Sequence, residues 1–594
     1  MCGIFAYKGD RDNAAHIVLT GLKILEYRGY DSWGIAIKPK TENGKRKTGL
    51  ILDKHVGEIS KAVISNQLSV ISSLAIGHTR WATHGGVTRQ NAHPHLDCAQ
   101  KISVVHNGIV ENSELLKKQL IKRGHKFLST TDSEVIPHMI EDELKTKDFS
   151  DAVQAAFKKL TGLNAIVVAS INSNELIAIK TGSPLVIGKE ENGYYVASDA
   201  SSIVPVTQNL LFLSDYQVAR INKKLTITDL YTGSKIKPEF EKVSWSESSS
   251  SKGDFSHFMI KEIHEQPRII RNIAKTFRDQ VTSLAKIIEK ARGTFFIGAG
   301  TASYAALSGT YFFSKLAGHH INMSSASEFM YQLDFINKNS LVVALSQSGE
   351  TIDIVEPLTK VKEKEATIAT LVNTQGSTIF RMSDKKILLE AGIEHAVAST
   401  KAYTAKLAIL HQLAFAIKKE LDSSTNQLLA SASEIERILK NADKLDPIAR
   451  ILSKKDHIYI IGRGVSFPSA LEAALKIKEV SYIHAEGLAG GELKHGALAL
   501  ITKGTPCIVF APNDETNQSI ISNATEIKSR GGVIIGISHK KETVFDFWIE
   551  VRDCQDAAAI TQIVPVQLLA YKLALIKGFD PDKPRNLAKS VTVK

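Results

Sequence analysis

The sequence predicts two architectures in tandem: an α+β domain at the N-terminus, followed by two copies of one α/β domain, each a doubly wound parallel sheet. Three observations predict this. First, three apolar segments of the second half recur at nearly constant offset. TFFIGAGTASYAAL (294–307) is echoed by HIYIIGRGVSFPSAL (457–471), LVVALSQSGET (341–351) by CIVFAPNDET (507–516), and ATIATLVN (366–373) by GVIIGIS (532–538). Second, these segments are continuous apolar runs alternating with helices, the signature of strands buried on both faces. Third, residues 2–220 instead mix short strands, such as KISVVHNGIV (101–110) and LNAIVVASI (163–171), with the helix-like HIVLTGLKILEYRG (16–29).

At 594 residues the chain is too long for one core, so several domains are expected. The boundaries read as 2–220, a linker over 221–275, repeats at 276–420 and 446–584, and a tail at 585–594. The serine run in VSWSESSSSKGDFSHF (243–258) marks the linker. The net charge of +12 suits anionic small substrates or a solvated lysine-rich surface. No basic stretch interleaved with aromatics and no DNA-binding signature appears, so no nucleic-acid partner is expected. No apolar run is seen to approach the roughly 18 residues that span a membrane, and MCGIFAYKGD has no secretory pattern. The four cysteines (Cys2, Cys98, Cys507, Cys554) are scattered, without metal-ligand spacing or a disulfide framework. The expectation is a cytoplasmic protein without metal or cofactor.

In doubly wound sheets, ligands bind beyond the carboxyl ends of the strands. Ser346-Gln347-Ser348-Gly349-Glu350-Thr351 follows a strand there and offers hydroxyls, an amide and N–H groups at a helix start, which suits a phosphate. The second copy reads Ala511-Pro512-Asn513-Asp514-Glu515-Thr516 at that place. Proline removes a donor and aspartate repels phosphate, so one phosphate site per chain, in the first copy, is expected. The Gly298-Ala299-Gly300-Thr301 turn is a weaker signal, since Gly-x-Gly after a strand often makes only a tight connection.

Cys2 becomes an N-terminal cysteine if the initiator methionine is removed. One residue then carries a nucleophile and a nearby amine base. Alone, a cysteine at position 2 reads as a small buried apolar residue. Its company is denser: Leu25-Glu26-Tyr27-Arg28-Gly29-Tyr30-Asp31-Ser32, Gly77-His78-Thr79-Arg80-Trp81-Ala82-Thr83-His84-Gly85, Val105-His106-Asn107-Gly108, and Thr131-Asp132 before a helix.

These segments resemble the class II, N-terminal nucleophile (Ntn) glutamine amidotransferases. MCGIF, KILEYRGYDSWG, GHTRWATHG and HNGIVEN are similar in particular to the glutamine–fructose-6-phosphate aminotransferase family. The second half agrees: SQSGET, VASTKAYT (397–404), ALKIKEVSYIHAEGLAGGELKHG (474–496) and PRNLAKSVTVK (584–594) resemble the paired sugar-isomerase (SIS) domains of that family. The resemblance spans essentially the whole chain. It implies an Ntn glutaminase followed by two SIS domains, with L-glutamine and D-fructose 6-phosphate as substrates and no cofactor.

By resemblance, Cys2 attacks the glutamine amide, and Asn107 with the Gly108 N–H forms the oxyanion hole. Arg80 pairs with the substrate carboxylate, and Asp132 takes the α-ammonium. Arg28, Thr83 and His84 line the glutamine site, and Trp81 gates an internal ammonia channel. In the sugar half, Ser346, Gln347, Ser348, Thr351 and Thr301 match the phosphate site. Lys589 matches the Schiff-base lysine, Glu479 the base that moves a proton between C1 and C2, and Lys476 a sugar-site lysine on the same helix. His495 matches the ring-opening acid/base that arrives from the partner of a homodimer. Val397 and Ala588 match backbone contacts to sugar hydroxyls. The chain departs from the family's Gly-Thr-Ser-Tyr at Gly300-Thr301-Ala302-Ser303-Tyr304: Ala302 aligns with the usual serine, and Ser303 substitutes if the turn shifts by one residue. An amidophosphoribosyltransferase would share Cys2 and Asn107 but lack the duplicated half. A non-catalytic sugar-phosphate sensor would keep the loop and lose Glu479, His495 and Lys589.

Overall fold

The computed structural model describes residues 2–40, 49–60, 62–63, 65, 68–243 and 252–592. It divides into two compact units, Met1–Ser249 with Ala588–Lys594, and Ser250–Leu587.

In the first unit, side chains alternate along each strand, so one strand can serve two cores. In Gly3–Gly9, Ile4 and Ala6 face one way while Phe5 and Tyr7 face the other. The result is two antiparallel sheets packed face to face with helices outside. One sheet has eight strands, in the order Glu241–Lys242, Asn209–Phe212, Val186–Glu190, Gly193–Ala197, Gly3–Gly9, Ser72–Arg80, Ser32–Pro39, Ile51–Val56. The other has seven, in the order Lys235–Ile236, Leu225–Asp229, Gln217–Ile221, Leu176–Lys180, Asn164–Ser170, Ile102–Gly108, His95–Leu96. Ile4, Ile76, Val105, Val167 and Ala178 fill the space between them. The helix Ala14–Ile24 buries Ala14, Ala15, Val18, Leu19 and Leu22, an i, i+4 stripe, against Phe5 on the outer face of the first sheet. Gly21 is required there, because a Cβ would sit 2.5 Å from the Phe5 ring. The expected helix over 16–29 ends at Ile24 and continues as a 3₁₀ turn at Glu26–Arg28. On the other side, Val135–Glu143 and Phe149–Phe157 pack on Val104, Ile166 and Val168.

The second unit contains the repeat. One five-stranded parallel sheet runs Asn322–Ser325, Gly293–Gly298, Ser340–Ser346, Thr367–Val372, Lys385–Leu388. The other runs His484–Ala489, His457–Gly462, Pro506–Ala511, Val533–Ser538, Phe547–Glu550. Spatial order and direction are the same, and every segment matched in the sequence falls on the equivalent strand.

Two expectations need correction. The supposed linker 221–275 holds the strands Leu225–Asp229, Lys235–Ile236 and Glu241–Lys242 and most of the helix Phe258–Thr276. Its strands are short, with Lys235–Ile236 and Glu241–Lys242 at sheet edges, and its helix is amphipathic, so neither looks like core in the sequence. The serine run itself lies largely outside the described residues. The helix Ala558–Ile576 belongs to a stretch, Gln555–Ile576, long and apolar enough to cross a membrane. That stretch is 83% buried within the protein, which makes it a core helix apolar all round.

Candidate active site

Cys2, the candidate nucleophile, sits where the ends of three strands come together. Cys2 enters the strand Gly3–Gly9, whose neighbour Ser72–Arg80 runs out at Trp81. The Trp81 N–H donates to Cys2 Sγ at 3.4 Å, and Sγ lies 3.6 Å from the Trp81 carbonyl. The Cys2 carbonyl accepts from Asn107 Nδ2 at 3.0 Å and from Arg28 Nε at 3.2 Å. Asn107 and Gly108 close the strand Ile102–Gly108. Gly108 has φ +131°, and a Cβ would lie 2.1 Å from the Leu163 carbonyl, so glycine is obligatory after Asn107.

Arg28, expected in the glutamine site, is buried, ion-paired with Asp199 at 3.1 Å and bonded to the Cys2 carbonyl, so it holds the backbone of Cys2. Arg80 is 3% exposed and donates to the carbonyls of His84 (2.5 Å), Gly85 (3.0 Å) and Gly86 (3.2 Å). Burial lowers its pKa, against the opposing pull of Cys2, Asp31 and Asp132, which places these groups in one electrostatic neighbourhood. The loop it orders carries Thr83 and His84, both exposed, and is tied down by the Ala82 N–H donating to Asp31 at 2.8 Å. Asp132 accepts from the Val110 N–H at 2.7 Å just before the helix Val135–Glu143.

The sequence reading missed what lies behind Asn107. His78, His93, His95 and His106 form a buried cluster, with His78 and His93 ring centres 4.1 Å apart and His93 and His95 4.5 Å apart. His78 Nε2 lies 3.1 Å from Asn107 Oδ1, the amide end opposite the Nδ2 that meets the Cys2 carbonyl. Burial pushes the His78 pKa down to about 3 and lowers those of the other three, so the cluster is neutral and its polarity serves to orient Asn107. The motif letters contain these histidines, but no helical or alternating spacing announces that they meet.

In the second unit, both sheets present strand-to-helix turns of the same shape. Gly300 and Gly464 share φ +53°, and a Cβ on Gly298 or Gly462 would strike the following helix at 2.6 or 2.1 Å. A turn kept identical in both copies is architecture, which settles the weaker Gly-x-Gly signal. The copies differ one strand over. There the Ser346 hydroxyl accepts from the Gly349 N–H at 2.9 Å and Ser348 from the Glu350 N–H at 3.2 Å, while Glu350 accepts from the Thr378 N–H at 2.9 Å. Gln347 is fixed through its carbonyl by the Asn373 N–H at 3.2 Å, and Thr351 stands at the start of the helix Ile352–Glu363.

At the same edge, Thr301 opens a helix and meets Glu472 (3.2 Å) and Lys476 (3.0 Å) from the helix Ser466–Ser481. Lys476 also bonds Glu479 and lies 3.5 Å from Glu472. Lys476 and Glu472 are fully buried, whereas the Glu479 side chain is 18% exposed. Two carboxylates thus share one cation. Burial, with Glu479 nearby, pushes the Glu472 carboxyl up to about 8, so Glu472 is the protonated member. Glu472 was not singled out from the sequence, where it reads as an ordinary helical glutamate. Ser303 and Ala302 are both buried in the first helical turn after Gly300. Val397 donates its N–H to the Asp582 carbonyl at 3.0 Å, so its own carbonyl is the group that would meet a sugar hydroxyl. His495 is exposed. Ala588 and Lys589 belong to the segment grouped with the first unit, not with Lys476 and Glu479.

A cysteine thiol at the head of an antiparallel sandwich, backed by an asparagine–glycine pair, defines an N-terminal nucleophile glutaminase. The duplicated parallel sheets define sugar-isomerase domains. Family comparison agrees, since a glutamine amidotransferase domain matches residues 78–205 and the SIS domain matches 287–416 and 451–577. The chain is 41% identical over 605 residues to "Glutamine--fructose-6-phosphate aminotransferase [isomerizing]" of Pyrococcus horikoshii, covering all of both chains. It is 40% identical to the Thermococcus kodakarensis relative and 39% to that of Aquifex aeolicus, again over full length. Among solved structures, the C-terminal domain of glucosamine-fructose-6-phosphate aminotransferase from Francisella tularensis matches with a TM-score of 0.53 and 35% identity, covering 56% of this chain and 100% of that one. This chain belongs to the isomerizing glutamine–fructose-6-phosphate aminotransferase family.

Proposed function

We propose that the protein transfers the amide nitrogen of L-glutamine to D-fructose 6-phosphate with isomerisation, giving D-glucosamine 6-phosphate and L-glutamate, the entry step of amino-sugar synthesis. The observation that carries this reading is the presence, in one chain, of Cys2 with its carbonyl held by Asn107 and of a Thr301–Glu472–Lys476–Glu479 cluster at the same sheet edge as a serine-rich loop.

Cys2 Sγ attacks the side-chain amide carbon. The carbonyl oxygen becomes an oxyanion received by Asn107 Nδ2 and the Gly108 N–H, and the α-amine of Cys2, free once Met1 is removed, passes the thiol proton to the departing ammonia. Water then opens the thioester to glutamate. Asn107 Nδ2 gives one N–H to the Cys2 carbonyl and keeps a second N–H for the substrate oxygen. Arg80 holds the substrate carboxylate and Asp132 its ammonium. Because Arg80 also orders residues 84–86, substrate binding and loop order are coupled.

In the sugar half, Ser346, Gln347, Ser348 and Thr351 hold the phosphate. Lys589 condenses with the ketone at C2, and Glu479 moves the proton between C1 and C2, with Lys476 steadying its charge. His495 reaches the site from the partner of a cytoplasmic homodimer and opens the ring. Trp81 gates the passage of ammonia. The domains that do this are a glutaminase followed by SIS domains near 276–420 and 446–584.

Incubation with amide-¹⁵N glutamine and fructose 6-phosphate tests the whole reading by mass spectrometry. The expected products are ¹⁵N-glucosamine 6-phosphate and glutamate, and Cys2→Ala forms neither. Glutamate with unlabelled sugar would overturn the acceptor assignment, and undiminished synthesis by Cys2→Ala would overturn the nucleophile.

A further inference from the structure

Cys98, His125, His138 and Glu141 take no part in the glutamine chemistry above, and the scattered cysteines of the sequence promised no metal. The fold brings them together. Cys98 lies in the turn joining His95–Leu96 to Ile102–Gly108, His125 follows the helix Ser113–Lys122, and His138 and Glu141 share a face of Val135–Glu143. One ligand atom from each lies within 4.8 Å of all the others. Cys98 Sγ is 3.6 Å from His125 Nδ1 and 3.5 Å from His138 Nδ1. Glu141 Oε2 is 3.2 Å from His125 Nδ1 and 3.6 Å from His138 Nδ1.

A tetrahedral zinc, with bonds of about 2.3 Å to sulfur and about 2.0–2.2 Å to nitrogen and oxygen, holds its ligand atoms about 3.3–3.6 Å apart. The four measured separations fall at or beside that range. The outer nitrogens face carboxylates. His125 Nε2 lies 3.0 Å from the Asp142 carboxylate, and His138 Nε2, buried and without a hydrogen bond, has the Glu134 carboxylate 3.7 Å away. A proton held on the outer nitrogen turns the Nδ1 lone pair inward, toward the sulfur and Glu141. Without a cation, a sulfur and a carboxylate would share a pocket with two inward-facing lone pairs.

We propose that Cys98, His125, His138 and Glu141 form a structural site for zinc. Four protein ligands close the coordination sphere, and a thiolate with two imidazoles favours zinc over magnesium or calcium. The ion would clamp the turn before the oxyanion-hole strand to the helix that follows Asp132, and so brace both walls of the glutamine pocket.

The test uses the full chain without an affinity tag, equilibrated with zinc and passed through a chelating resin. Elemental analysis should find about one zinc per chain in the wild type and less than about a tenth of that in Cys98→Ser and His125→Asn. Cobalt replacement should give a sulfur-to-cobalt charge-transfer absorption that Cys98→Ser lacks, and a strong chelator should lower the melting temperature of the wild type but not of Cys98→Ser. Cys98 is at the surface, so this variant folds, and its circular dichroism checks that. Wild-type protein that retains no zinc and gives no cobalt–sulfur band overturns the proposal in favour of a histidine–carboxylate ion pair. A full zinc equivalent in Cys98→Ser overturns it as well.

Discussion

The two sugar-isomerase copies keep one framework and divide the chemistry. Strand order, direction and the Gly-x-Gly turn are the same in both. Yet the first copy ends a strand in Ser346–Thr351, whose hydroxyls and N–H groups point at each other and at an incoming anion, while the second has Ala511–Thr516, where Asp514 already fills that place. Its carboxylate accepts from the Thr516 N–H at 2.9 Å and from the Thr516 hydroxyl at 2.6 Å, so the helix start is satisfied by a built-in anion. The reverse holds on the neighbouring helix. Glu472 and Lys476 of the second copy correspond, at the 164-residue offset of Gly298 and Gly462, to Ser308 and Phe312 of the first. Under the proposed function, one copy holds the phosphate and the other handles protons. Duplication conserves what packs and releases what reacts.

The largest expected effect comes from moving the second copy's residue into the first. In Gly349→Asp the Cβ meets Ser377 Oγ at 1.9 Å, the backbone is at φ +69°, and a carboxylate faces the phosphate. Activity with fructose 6-phosphate should fall by more than about 100-fold while glutamate release without sugar persists, as a coupled assay of each product would show. Synthesis within tenfold of wild type would erase the division drawn here. The next effect concerns the buried pair. A carboxyl raised in the folded state binds its proton more tightly there than in the unfolded chain. Stability from Glu472 is therefore full below about pH 4.5 and is lost as pH rises through about 8, with a slope of at most about 1.4 kcal/mol per pH unit. Glu472→Gln should flatten the stability profile of the sugar half across that window in calorimetry, and an unchanged slope would place the proton elsewhere. The smallest effect is Asp514→Ala, which removes a cap. It should cost about 0.5–2 kcal/mol in denaturant melts and leave the KM for fructose 6-phosphate untouched.

A parallel contrast separates what the sequence revealed from what it hid. The repeat was legible because continuous apolar strands at fixed spacing leave a pattern along the chain. The loop at Ser346 was legible because its twin could be read beside it. The glutamine residues came through motif resemblance. The histidines behind Asn107, the contact of Glu472 and Lys476 with Thr301 and the Cys98 cluster were not legible, because each joins residues from separate elements whose meeting depends on the fold. Arg28 was legible as a residue near Cys2, but its ion pair with Asp199 and its bond to the Cys2 carbonyl were not. The edge strands after residue 221 hid behind polar composition.

One capping contact sets a timetable. The N–H groups of Phe258 and Met259 donate to the Asp582 carboxylate, both at 2.8 Å, and Gln266 bonds Gln567 at 2.8 Å. The first helix of the sugar half therefore completes its N-terminus with a residue 324 positions downstream. At about 5–20 residues per second, a ribosome reaches Asp582 roughly a quarter of a minute to a minute after Phe258. Until then the helix Phe258–Thr276 lacks its cap and its Gln567 contact. The glutaminase sandwich, apart from its short tail, is already synthesised by that time, so the newborn chain carries a finished head on a body that must wait for its own last helix.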